Sequence, residues 1–167
     1  TDCPTRERHG WAGDAQIFCP TACTLFDYAA VARKYERDLC DAQHKNGCFT
    51  QIAPVGGVDS YMNAMDGSAG WSDAGVLIPW DVYAAYGDRK ILEENYDAMC
   101  RYARYKIGTL GKWYPTATPT GIGLKHGKAI SNYGQSYGEW AEPEDVKAFA
   151  ISEVVSPHPE DPTAYIV

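Results

Sequence analysis

Two stretches of this chain repeat apolar residues at spacings of three and four, and that periodicity restricts the fold more than any other feature. Tyr28, Val31, Tyr35, Leu39 and Ala42 mark one side of a predicted helix that Asp27 caps and that runs to about Gln43. Arg33, Lys34, Glu36, Arg37 and Asp38 are expected to cover its solvent side. Leu92, Tyr96, Met99, Ala103 and Ile107 do the same in a segment that Asp88 caps and that ends near Thr109. Each amphipathic stretch follows a more uniformly apolar one. Residues 14–26 read as a helix made irregular by Pro20, and a helix from Ser72 or Asp73 to Tyr86 survives Pro79 and ends at Gly87. The links inside each pair are short. The connection over residues 44–70, by contrast, is long and holds Pro54, Gly56, Gly57, Gly67 and Gly70, while Ile52, Val55, Tyr61, Met62 and Met65 favour an ordered path. This alternation predicts an all-α fold of helical hairpins standing side by side, as in an α/α toroid, with long irregular loops gathered at one end. Strand alternation is unconvincing, although residues 49–55 or 121–130 fit a small hairpin. Beyond Leu110 the chain turns irregular, and Pro157, Pro159 and Pro162 read as a connection leading onward.

The length fits one domain with a core of its own. A net charge of −7 excludes a basic stripe for nucleic acid and favours a neutral or cationic ligand. Aromatic residues make up 13% of the chain, enough to furnish both a core and a carbohydrate pocket, where an aromatic face meets the C–H face of a sugar ring. No apolar run approaches the roughly 20 residues of a membrane span. A chain that opens on Thr1 is expected to be processed or cut from something longer. The six cysteines stand mostly in apolar or helical surroundings, so free thiols and a reducing, cytoplasmic setting are expected rather than a disulfide framework. Cys19 and Cys23 share a helix face, but two thiols without a nearby histidine make no metal site, and no cofactor is expected.

Chemistry concentrates in residues 1–14. Asp2, Glu7 and Asp14, with Arg6, Arg8 and Trp11, are set among Pro and Gly residues that oppose regular structure. Acids for proton transfer, arginine for fixing hydroxyls and an indole for stacking are the groups a sugar-processing site needs. Asp2, Asp14 and Asp73 suit paired hydrogen bonds to vicinal hydroxyls. Asp14 and Asp73 also fit helix caps, and Trp80 fits the core better than a sugar subsite.

The run from Asp2 to Ala15 closely resembles the signature of bacterial α-L-rhamnosidases, glycoside hydrolase family 78. Trp71-Ser72-Asp73-Ala74 with Pro79-Trp80, and then Tyr137-Gly138-Glu139-Trp140, resemble the next two blocks of that family in the same order. The resemblance implies an (α/α)6 barrel that hydrolyses terminal α-L-rhamnosides with inversion, and a rhamnose-containing glycoside as partner. It implies Glu7 as general acid, and Asp2, Arg6, Trp11 and Asp14 as residues lining the rhamnose subsite. Trp71, Asp73, Glu139 and Trp140 fall in blocks that face the same pocket. His9 stands where an apolar residue is commoner, and Glu139 where Asp is frequent. Four helices stand where the barrel needs twelve, and the family's general base has no counterpart, so the chain reads as about the first half of the catalytic domain. A half-barrel exposes an apolar seam, which predicts self-association.

Gly134-Gln135-Ser136-Tyr137-Gly138 satisfies the nucleophile-elbow pattern but lacks the strand before it and the helix after it. Two alternatives stand beside the rhamnosidase reading: a carbohydrate-binding or structural piece without turnover, and another six-hairpin glycosidase. The second catalytic carboxylate separates the first of these, with Glu139 and Glu142 as the internal candidates.

Overall fold

The computed structural model describes residues 4–57, 66–111 and 129. Four helices follow in order: α1 Ala12–Leu25, α2 Ala29–Ala42, α3 Ala74–Tyr86 and α4 Arg89–Ile107. They form two hairpins, as the alternation of short and long links predicts. α1 packs on α3, and α3 packs in turn on α2 and α4. The Tyr86 hydroxyl, at the end of α3, donates to the carbonyls of Cys23 and Phe26 and accepts from the Tyr28 N–H. Near the start of α3, the Gln16 side-chain amide of α1 donates to the Gly70 carbonyl. The two helices therefore run parallel, with both N-termini and the long connection at one end. Among the described residues the 49–55 segment forms no hairpin; Trp11 and Ile52 share one isolated antiparallel bridge. The 121–130 alternative lies outside the described residues except at Ala129.

Phe49, Leu39, Ile78, Val82 and Ile91 are fully enclosed, with the Tyr102 ring tilted against Phe49 at 5.2 Å between ring centroids. Phe49 comes from the long connection and fills the space above Gly75, where a Cβ would sit 2.4 Å from its ring. α1 and α3 each continue through an internal proline. At Gly87 the chain leaves α3 with φ of 67°, and its N–H returns to the Tyr83 carbonyl, a left-handed close that suits glycine.

Several boundaries and faces differ from the sequence expectation. α1 starts at Ala12, so Asp14 lies in its first turn, near the positive end of the helix dipole, instead of capping it. Tyr28, not Asp27, holds the N-cap position of α2. Asp88 holds the N-cap position of α4 as expected, and its carboxylate takes two bonds from the Arg33 guanidinium at 2.8 and 2.6 Å, which hold it below the usual carboxylate range. The buried side of α2 is Ala32, Glu36 and Leu39, and that of α4 is Ile91, Asn95, Ala98, Tyr102 and Lys106. Val31, Tyr96 and Ile107 are exposed. Trp80, expected in the core, is 57% exposed and leans on Tyr83.

Glu36 is the sharpest departure. Assigned to solvent by its neighbours in sequence, it is completely buried. One carboxyl oxygen lies 3.9 Å from the Cys40 thiol, and the other has no hydrogen-bond partner. Burial pushes this carboxyl well above its usual range. The same desolvation lifts the thiols of Cys19, Cys40 and Cys48 to about 12, the behaviour of inert core cysteines. All five described cysteines are free, in line with the thiol expectation, and Cys3 lies outside the described residues.

Candidate functional site

The charged loop that precedes α1 is held by main-chain atoms. Gly10 accepts from the Ala53 N–H at 3.0 Å and from the Tyr35 hydroxyl at 2.9 Å, while Ala12 donates to the Gln51 carbonyl at 2.8 Å. A Cβ at Gly10 would stand 2.1 Å from the Ala53 carbonyl oxygen, so the two strands of chain meet this closely only because residue 10 is glycine. The loop turns at Arg8, which adopts φ of 61°. That bend carries Glu7 back over Trp11, whose indole Nε1–H donates to Oε2 of Glu7 at 3.2 Å. Arg6 pairs with the other oxygen at 3.1 Å. Glu7 keeps a third of its side chain open, whereas Trp11 is nearly buried, its edge met by His9. The indole thus fixes the plane of the carboxyl group, and the arginine neutralises it from the solvent side.

The second sequence block arrives beside the first. The Trp71 indole lies across Gly13, where a Cβ would be 2.9 Å from the ring. Asp14, the next residue of that turn, is exposed. Glu7, Arg6, Trp11, Asp14 and Trp71 thereby gather at the N-terminal end of α1. Asp73 does not join them on the surface. Its side chain is 7% exposed and accepts from the Gly70 N–H and the Tyr102 hydroxyl, each at 2.8 Å, with Lys106 Nζ at 3.8 Å. Burial raises this carboxyl and depresses the lysine, each opposing the other's shift through their mutual attraction. Asp2, Glu139 and Trp140 lie outside the described residues.

Sequence reasoning missed the supports of this site: Tyr35, Gln16, Tyr102, Lys106 and the 51–53 segment. A lysine four residues after a tyrosine reads as a solvated helix edge. Only the packing of α4 on α3 reveals both as buried. Among the described residues no group of three metal-ligating side chains gathers, and no helix is long and apolar enough to cross a membrane.

Residues 1–156 match the bacterial alpha-L-rhamnosidase six-hairpin glycosidase domain. An alpha-L-rhamnosidase of Streptomyces avermitilis is 36% identical over 156 residues, covering 90% of this chain and 13% of that protein. An alpha-L-rhamnosidase of Formosa agariphila is 38% identical over 110 residues, covering 65% of this chain and 11% of its own length. Among solved structures, the Streptomyces avermitilis enzyme complexed with L-rhamnose superimposes with a TM-score of 0.63 at 38% identity, over 79% of this chain and 13% of that one. The alpha-L-rhamnosidase from Dictyoglumus thermophilum superimposes with a TM-score of 0.69 at 28% identity, over 96% and 15%. The chain therefore spans about an eighth of the length of its Streptomyces relative. With its helical hairpins, its charged loop and these matches in agreement, the chain belongs to the six-hairpin glycosidase domain family of the bacterial alpha-L-rhamnosidases.

Proposed function

We propose that this chain is the early part, about the first half, of a catalytic domain that releases terminal α-L-rhamnose from glycosides by inverting hydrolysis. The observation that carries the reading is the Glu7 carboxyl, oriented by the Trp11 indole at the end where the long loops gather. Glu7 acts as general acid and protonates the departing glycosidic oxygen. A water attacks the anomeric carbon from the opposite face, activated by a carboxylate that the rest of the domain supplies. In an inverting enzyme the two carboxyl groups stand roughly 6.5–9.5 Å apart to admit that water. Arg6 and Asp14, with Asp2, bind the sugar hydroxyls, while Trp71 and Trp140 meet its apolar face. Glu139 sits in a block assigned to the same pocket. Trp11 contributes mainly by holding Glu7, since its own ring is nearly buried. The relatives, alpha-L-rhamnosidases, and the L-rhamnose complexed with the Streptomyces enzyme support the substrate class.

The test is release of p-nitrophenol from p-nitrophenyl α-L-rhamnoside by the enzyme that contains this segment. Glu7→Gln is expected to lower kcat by about 10²–10⁴-fold, the usual worth of a positioned acid. The 167-residue chain alone is expected to be folded and inactive. Activity in the isolated chain that Glu7→Gln abolishes would place the base within it and make Glu139 and Glu142 the next targets. Full activity of Glu7→Gln in the longer enzyme would refute the role of Glu7.

A further inference from the structure

Residues 67–73 form a tight turn held from inside. Trp71 and Ser72 donate their N–H groups to the Ser68 carbonyl at 3.2 and 3.0 Å, and the Ser72 hydroxyl accepts from the Gly67 N–H at 2.9 Å. Two helices then grip the turn from opposite sides. α1 does so through Gln16, which donates to the Gly70 carbonyl. α4 does so through Asp73, which takes the Gly70 N–H on one oxygen and faces Tyr102 and Lys106 with the other. Trp71 is the residue between these anchors, and its indole rests on the bare backbone of Gly13.

We propose that Asp73 is a positioning residue rather than a sugar ligand, and that Tyr102 and Lys106 act through it to set where Trp71 stands over the first turn of α1. Each Asp73 oxygen already faces a donor from within the fold, and the 7% of its side chain left exposed lines a cavity shared with Val76, Leu77, Tyr102 and Lys106 and with no residue of the charged loop. Gly70 is bonded through both its N–H and its carbonyl, so the turn has one height relative to α1 and α4. Lys106 supplies the charge that makes a buried carboxylate tolerable, and it is the Nζ at 3.8 Å rather than a closer bond that leaves Tyr102 as the geometric anchor. The proposal rests on the reading of Trp71 as part of the rhamnose subsite, and its consequence is that α4, remote in sequence from the charged loop, governs substrate affinity.

Tyr102→Phe removes the hydroxyl and keeps the ring packed on Phe49 and Tyr105. In the full-length enzyme it is expected to raise KM for p-nitrophenyl α-L-rhamnoside about tenfold with kcat within about twofold, the pattern of lost ground-state binding. Asp73→Asn, which keeps an acceptor oxygen for the Gly70 N–H, is expected to recover more than half of the affinity that Asp73→Ala loses. A second readout needs no turnover. In the 167-residue chain, the acrylamide quenching assigned to Trp71 by difference from Trp71→Phe is expected to rise about twofold in Tyr102→Phe, as the ring leaves Gly13 for solvent. Unchanged quenching with unchanged KM, whatever the melting temperature, would overturn the proposal. Should the full-length enzyme release no p-nitrophenol from p-nitrophenyl α-L-rhamnoside, the rhamnosidase reading falls, and the quenching comparison alone still decides whether Tyr102 positions Trp71.

Discussion

Replacing the buried Glu36 by methionine should stabilise this protein, although it deletes a charged residue from a helix. Methionine has the same unbranched reach and a similar helix propensity, so packing and backbone preference change little. What changes is the carboxyl: one oxygen has only a thiol at 3.9 Å, and the other has no partner at all. A buried polar atom left unsatisfied costs about 1–3 kcal/mol, which Glu36→Met should recover even where the carboxyl is neutral. At higher pH the gain should grow. Burial raises the folded-state pKa of Glu36 above its unfolded value of about 4.3, so between the two the native state holds a proton that the unfolded chain has released. Native stability from this group is therefore complete below the unfolded pKa and declines as pH climbs through the folded one. Methionine has no such slope. Urea unfolding followed by far-UV circular dichroism at pH 4.5 and pH 8 would measure both effects, because slopes from other groups cancel in the difference between the two proteins. Equal or lower stability of Glu36→Met at both values, or a difference that does not widen with pH, would refute the reasoning.

Two further outcomes follow from packing. Gly75→Ala should destabilise by about 1–3 kcal/mol despite the better helix propensity of alanine, because a Cβ placed 2.4 Å from the enclosed Phe49 ring forces that ring back by about an ångström; combining it with Phe49→Leu should cost less than the two separate losses added together, measured by thermal melts. The 18.4 kDa chain should self-associate in light scattering, with an apparent mass rising with concentration, since Ile17, Leu25, Phe26, Tyr96, Ile107 and Trp80 are each more than half exposed; a strictly monomeric species would count against the half-barrel reading.

The helices and their pairing were legible because turn residues such as Gly87 punctuate the chain where the periodicity changes. Which residues those helices bury was less legible. α2 and α4 each carry a second apolar side, with Val31 on one and Tyr96 and Ile107 on the other, and a three-to-four spacing merges the two sides into one stripe. The apolar residues then outvote Glu36, Asn95 and Lys106, all of which are buried. Propensity has no means of recognising a carboxyl or an ammonium that tertiary packing encloses. For the site, the charged loop announced itself by composition, and Trp71 by its neighbours in sequence. The role of Asp73 turned on Tyr102 and Lys106, which are far away in sequence and become its neighbours only when α4 folds onto α3.

The clamp on the charged loop has a consequence for how such a sequence can drift. The bonds from Gln51 and Ala53 to Ala12 and Gly10 run between peptide groups, and no side chain of residues 51–53 takes part in those two bonds. Those two bonds ask nothing of the side chains at 51–53 beyond the N–H that proline lacks at 53, so the clamp accepts another residue there wherever the enclosed space, only 1–3% exposed, can hold it. Gly10 has no such liberty, because even one added carbon collides with the Ala53 carbonyl. In a library built over this region, tolerance should differ in kind across a single contact: limited by the size of the enclosed space at residues 51–53, and confined to one amino acid at position 10.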